Sequence, residues 1–219
     1  MGKLRFALTL CLFASGLSSS AGDVSALVPD AATKTLVFLG DSLTAGHGVR
    51  ADESFPSLIE EKIRSTGLSV TTQNAGVSGD TTAGGLRRID WLLQRKIDVL
   101  VIELGANDGL RGLPTATIRT NLQAIIEKTK ATYPGAKFVV AGMQIPPNMG
   151  ADYAASFQRV FPELATTNHV ELIPFLLDGV GGHRELNQSD LIHPTAVGHR
   201  IIAENVWRVL EPLLRRISP

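Results

Sequence analysis

Short apolar runs rich in β-branched residues recur along the chain at Thr35–Leu39, Ser69–Asn74, Asp98–Glu103, Lys137–Gly142 and Val170–Ile173. Stretches of helical period separate them, near Phe55–Thr66, Thr81–Gln94, Pro114–Thr132 and Asp152–Thr167, and a last one lies near Thr195–Arg216. In the third of these helices Ile118, Leu122, Ile125 and Ile126 share one face, the stripe of a helix that packs on a core. Tyr153, Phe157, Val160, Phe161 and Leu164 do the same in the fourth, so those aromatics read as core rather than as a cofactor box. Near-continuous apolar strands such as "DVLVIEL" predict a parallel sheet covered on both faces. Alternation of β and α then predicts a three-layer α/β/α fold with right-handed crossovers. There is no repeat, low-complexity tract or linker after the first two dozen residues, and residues 22–219 read as one domain.

The first residues break this pattern. Lys3 and Arg5 precede an apolar run from Phe6 to Leu17, and Ser18, Ser19, Ser20 and Ala21 follow. That order is the charged, apolar and small-residue succession of a secretory signal peptide, expected over residues 1–21 with cleavage near Ala21–Gly22. The run is too short to span a bilayer, so no stable membrane insertion is expected after cleavage. Cys11, the one cysteine, lies inside this leader. The remainder therefore has no disulfide, thiolate nucleophile or cysteine metal site, and a core of this length is stable without them. The expected location is periplasmic or secreted.

Charge narrows the partners. The 219 residues carry 21 Lys+Arg against 21 Asp+Glu. With no net charge, and no basic cluster interleaved with aromatics, nucleic acid is not an expected partner. Oligomeric state is not legible.

Open parallel sheets bind ligands outside the carboxyl ends of their strands. The polar segments at those ends are Gly40-Asp41-Ser42 after the first strand, "NAGVSGDTT" after the second, "GANDGLRG" after the third and "DLIHP" beyond the fifth. Three readings compete for "LVFLGDSLTAGHG": a plain turn, a phosphate cradle and a turn that presents a serine. Gly46 to Ala51 matches G-x-G-x-x-A, but it starts several residues past the strand, and no acidic residue closes the second strand to hold a ribose. A G-x-S-x-G elbow fails because Thr44 stands where the last glycine belongs. Ser42 alone fits a helix cap as well as a nucleophile.

Asp190 and His193 favour the nucleophile. A serine hydroxyl needs a base, and imidazole needs a carboxylate to fix its tautomer. The three-residue spacing lets Asp190 face Nδ1 and leaves Nε2 free for Ser42, with Pro194 stiffening the loop and helping to start the last helix. Donors for a developing oxyanion are expected from the Ser42 N–H, the Gly79 N–H and the Asn107 side chain. Gly79 is read as the residue that lets a backbone N–H come close. His47, His169, His183 and His199 lack a placed carboxylate and read as surface or satisfied core residues. No ligand spacing supports a metal site, and no cofactor is expected.

These blocks resemble the SGNH, or GDSL, hydrolases: "GDSL" supplies Ser42, "SGDT" Gly79, "GAND" Asn107 and "DLIHP" Asp190 and His193. "ELGANDGLRGL" and "MQIPPNMG" are similar to the bacterial thioesterase I/lysophospholipase L1 and arylesterase branch, and the similarity runs from about Lys34 to Leu214. The resemblance implies a flavodoxin-like five-stranded parallel sheet of order 2-1-3-4-5 and a serine esterase that cleaves a small acyl ester or thioester. It also implies substrate contacts from a mobile Asp108–Leu113 loop (Asp108, Gly109 and Leu110) and from an acyl-pocket segment at Ile145–Pro147 (Ile145 and Pro146). Some relatives carry a charged residue and leucine where this chain has "IPP". A carbohydrate O-acetyl esterase is the alternative within enzymes, and a non-catalytic lipid- or glycan-binding module the alternative outside them.

Overall fold

The computed structural model describes residues 1–2 and 33–218; the leader expected over residues 1–21 lies outside them apart from its first two. Strand β1 (Lys34–Gly40) ends in five buried residues and leads into the one-turn helix α1 (Ser42–Ala45). There follow α2 (Phe55–Thr66), β2 (Val70–Gly76), α3 (Thr82–Leu92), β3 (Val99–Glu103), the short α4 (Ala106–Leu110) and α5 (Thr115–Thr132). The chain closes with β4 (Lys137–Ala141), α6 (Ala151–Asn168), β5 (Glu171–Ile173) and α7 (Ala196–Ile217). Each expected strand and long helix is present, with ends shifted by at most two residues. The short α1 and α4 lack a periodic stripe, because one turn is too brief to carry one.

All pairings in the sheet are parallel, in the order β2-β1-β3-β4-β5. Central β3 is buried along its whole length, whereas edge strand β2 has no buried residue. This is why "VLVIE" reads as a continuous apolar run and "VTTQNAG" does not. Helices α2 and α7 pack together on one side, and α5 packs with α3 and α6 on the other. The expected stripes point inward: Ile118, Leu122, Ile125 and Ile126 are buried, as are Phe157, Val160, Phe161 and Leu164. Tyr153 is half-buried and donates to the Leu113 carbonyl at 2.6 Å.

Strand order reverses at β1, which lies between β2 and β3, so a crevice opens beyond their carboxyl ends. Close approach there demands two small residues. A Cβ on Gly76 would stand 2.3 Å from the Ala45 backbone nitrogen, so α1 could not lie over the end of β2. One on Gly40 would stand 2.0 Å from Thr44 Oγ1 and 2.6 Å from Glu103 Oε2.

Candidate active site

Ser42 is the first residue of α1, and Asp41, not Ser42, caps that helix by accepting from the Leu43 N–H at 3.0 Å. The serine hydroxyl is thereby released from the local role that competed for it. It lies 2.9 Å from His193 Nε2, across 151 residues of sequence. His193 Nδ1 lies 2.6 Å from Asp190 Oδ2. An ionised carboxylate only accepts, so the hydrogen is on Nδ1 and Nε2 is the acceptor for Ser42.

The Asp190–His193 loop organises itself. Asp190 Oδ1 accepts from the Ile192 and His193 N–H groups at 2.9 and 3.0 Å. The His193 side chain first, then these two N–H groups, hold the Asp190 carboxyl well below the usual carboxylate range. Leu191 takes a positive φ of 61° and keeps its side chain exposed. The last helix starts at Ala196, where Thr195 Oγ1 accepts from the Gly198 N–H. Its cap is therefore Thr195, and Pro194 contributes instead a carbonyl that the Gln188 amide binds.

The expected oxyanion donors gather at the same crevice, with one change of reason. Gly79 has φ 78°, and a Cβ there would meet nothing within 4 Å. Backbone conformation, not space, requires glycine at this position. Among the described residues, no acceptor meets the Ser42 or Gly79 N–H. Asn107 Nδ2 is already engaged, donating to Asp41 Oδ2 at 3.0 Å and to the Asp80 carbonyl at 2.9 Å.

Two of the expected substrate contacts are enclosed in this structure. Asp108 is fully buried, and its carboxylate accepts from the Thr82 N–H (2.9 Å) and hydroxyl (2.6 Å). Those bonds join α4 to α3. Gly109 is buried beneath Ile145 and Phe157, either of which a Cβ there would strike at 2.6 Å. Leu110 and Pro146 are exposed and Ile145 half-buried. Within the Asp108–Leu113 segment the Leu113 N–H donates to the Asp108 carbonyl, and Arg111 donates to the Gly79 carbonyl at 3.1 Å.

Sequence reasoning passed over several residues at this crevice. His47, set aside for want of a carboxylate, is exposed but has its ring centroid 4.5 Å from that of His193. Gln188 Nε2 donates to the carbonyls of His47 (2.7 Å) and Pro194 (3.0 Å), joining the loops after Ser42 and around His193. Arg88 binds Asp80 Oδ2 at 2.7 Å and the Gly40 carbonyl at 2.9 Å. Glu103 is fully buried at the end of β3. Glu103 alone carried a signal, a charge in an otherwise apolar strand. His199 is buried too, its Nδ1 accepting from the Phe55 N–H at 3.3 Å, and among the described residues its Nε2 has no partner.

Comparison with known proteins follows the same geometry. A model of the GDSL-like lipase/acylhydrolase family matches residues 38–201. The chain is 41% identical over 189 residues to "Esterase TesA" of Pseudomonas aeruginosa, spanning 86% of this chain and 93% of that protein. It is 35% identical over 189 residues to "Thioesterase 1/protease 1/lysophospholipase L1" of Escherichia coli K12, spanning 86% and 88%. A crystal structure of TesA superposes with a TM-score of 0.79 at 40% identity, covering 82% of this chain and 99% of that one. A psychrotrophic esterase EstA from Pseudoalteromonas, inhibited by monoethylphosphonate, superposes with a TM-score of 0.78 at 33% identity, covering 83% and 99%.

Proposed function

The chain belongs to the GDSL-like lipase/acylhydrolase family, and from that premise we propose that it hydrolyses carboxylic esters and thioesters through an acyl-enzyme on Ser42. The observation that carries this reading is the continuous relay from Ser42 Oγ to His193 Nε2 and from Nδ1 to Asp190.

In the first half-reaction Ser42 Oγ attacks the acyl carbonyl carbon while its proton passes to His193 Nε2. Asp190 accepts from Nδ1 and stabilises the imidazolium. Negative charge grows on the carbonyl oxygen, where the Ser42 and Gly79 N–H groups are donors without competing acceptors. Asn107 joins as a third donor by sharing one of its two N–H groups, since both have partners at rest. His193 then gives its proton to the departing alcohol or thiol. In the second half-reaction it takes a proton from water, which attacks the acyl carbonyl, and Ser42 leaves with the proton restored.

The acyl group lies along the apolar edge formed by Leu110, Ile145 and Pro146. The enzyme acts in the periplasm or outside the cell, with residues 1–21 as leader and 22–219 as the working domain. Amino-terminal sequencing of the exported protein should begin near Gly22, and an intact Met1 on the exported form refutes the leader.

A fluorophosphonate probe tests the chemistry, and the phosphonate-inhibited neighbour supports its choice. The intact mass should rise by one phosphonyl group, hydrolysis of p-nitrophenyl acetate and octanoate should stop, and Ser42→Ala should take no label. Labelling that persists in Ser42→Ala, or hydrolysis that survives it, ends the proposal. An acetylated glycan cleaved in preference to both nitrophenyl esters points to the carbohydrate esterase instead.

A further inference from the structure

Beneath the Ser42 turn lies a group that the reaction above does not use. Glu103 ends β3 directly beside Gly40 of β1, and the missing Gly40 side chain leaves room for its carboxyl. One oxygen, Oε2, accepts from the N–H groups of Asp41 and Thr44, both at 3.2 Å, and from the Thr44 hydroxyl at 2.6 Å. Among the described residues, no donor reaches the other, Oε1.

Asp41 is equally enclosed, with Oδ1 on the Leu43 N–H and Oδ2 on the Asn107 amide. The Asp41 N–H reaches Glu103 Oε2, so the two buried carboxyls are neighbours. Two such neighbours do not both ionise, so one of them holds a proton. The donor pattern assigns that proton. Oε2 behaves as the carbonyl oxygen of an acid, and Oε1, starved of donors, is satisfied only as an O–H. Both Asp41 oxygens already receive N–H groups, which suits the charged partner.

We propose that Glu103 is a positioning residue for the hydrolysis: as a neutral acid it donates to Asp41, leaves Asp41 as the charged member of the pair, and through Asp41 fixes the Asn107 amide beside the Ser42 turn. This rests on the reading of Ser42 and Asn107 given above. Electrostatics agree with the geometry. Burial, then the Asp41 charge, push Glu103 well above the usual carboxylate range, and burial raises Asp41 to about 6 against the opposing hydrogen bonds. Of the two carboxyls, Glu103 is the one pushed harder toward the protonated form. The other ionisable groups around the pair are Arg88 of α3, on the Gly40 carbonyl and Asp80, and His193, whose protonated form favours the charged form of Asp41 from across the crevice. A second negative charge here would oppose the oxyanion that Asn107 helps to hold.

Steady-state hydrolysis of p-nitrophenyl acetate near neutral pH, with Glu103→Ala, Glu103→Gln and Asp41→Asn in the full chain, tests this assignment. Glu103→Ala lowers kcat by roughly 10-fold or more, a part of the loss expected for one oxyanion donor, with KM changed little. Glu103→Gln, whose amide keeps both an acceptor and a donor, recovers kcat to within roughly threefold of the parent. Asp41→Asn, equally isosteric, does not recover, because one of its acceptors becomes a donor facing other donors. If Glu103→Ala fails to fold, the contrast between Glu103→Gln and Asp41→Asn still decides. Equal kcat in those two variants, or parental kcat in Glu103→Ala, overturns the inference. Ser42→Ala assayed alongside separates the two levels: residual activity there sinks the acyl-enzyme reading, whereas a dead Ser42→Ala with no Glu103 and Asp41 asymmetry sinks this inference alone.

Discussion

The two sides of the Ser42–His193 contact are built in opposite ways. Ser42 is buried at the end of a core strand, on a helical turn held from below by Asp41 and Glu103 and from the side by Arg88. Asp190 is exposed on a loop that makes its own short-range hydrogen bonds and includes Leu191 in the left-handed region. Packing fixes Ser42, whereas a few hydrogen bonds fix His193. Backbone strain of the Leu191 kind persists only where neighbours over-determine it, and here Asp190 and Gln188 are those neighbours: the Leu191 N–H donates to the Gln188 carbonyl, and the Gln188 N–H to that of His193. The lesson is that a preorganised site can join one rigid member to one tethered member, provided the tether runs back to the rigid side. Gln188 supplies that tether through the His47 carbonyl.

Removing either end of the relay should abolish the distinction. Ser42→Ala and His193→Ala should each lower kcat on the order of 10⁶-fold, and Asp190→Ala only about 10⁴-fold, because an imidazole without its orienting carboxylate still works in part. Stopped-flow and long-time assays of p-nitrophenyl acetate check this; a loss below 10-fold for His193→Ala, on the scale of a single weak contact, contradicts its role. On the rigid side, Asn107→Ala should cost about 10²–10³-fold in kcat with KM nearly unchanged, the loss of one oxyanion donor. A pure KM effect would instead make Asn107 a binding residue.

The buried side also predicts a pH effect on stability. Burial lowers His199 from 6.5 to about 4, so the folded protein keeps it neutral. Above the ordinary value both states are neutral and His199 adds no pH dependence. As pH falls through that value the unfolded chain takes the proton first, and stability is lost progressively, by roughly 3 kcal/mol once the pH reaches the folded value. Urea unfolding at the two ends of that window should show a smaller acid loss in His199→Gln than in the parent. An identical loss in both assigns the acid sensitivity to other groups.

The smallest effect belongs to the tether. Gln188→Ala should lower kcat about 10-fold, near 1.4 kcal/mol of misplaced base, and leave phosphonate labelling of Ser42 intact but slower. Unchanged kcat would mean that the local Asp190 bonds suffice to hold His193.

Much of this was legible beforehand, for reasons that can be named. Near-continuous apolar runs and helical stripes report burial directly, so strand and helix positions, and the aromatics of α6, read correctly. The short blocks "GDSL", "SGDT", "GAND" and "DLIHP" sit at strand ends, and topology brings such ends to one rim whatever the side-chain detail. Asp108 and Gly109 are expected as substrate contacts only through the family resemblance, which assigns a segment and not its side-chain directions. Helix α4 encloses both, since successive helical residues point in different directions. His47 and Gln188 gave no signal, because each matters through a contact more than a hundred residues away.

Sequence alone determined the layered α/β architecture and which residue types meet at the carboxyl ends of the sheet, because periodicity and chain order are local quantities. Tertiary structure decided that Asp41 rather than Ser42 caps α1, that Asp108 binds Thr82 of α3, and that Glu103 and Asp41 form a buried pair. Each of these depends on which donors surround a given oxygen, and those donors come from strands and loops that the chain joins only by folding.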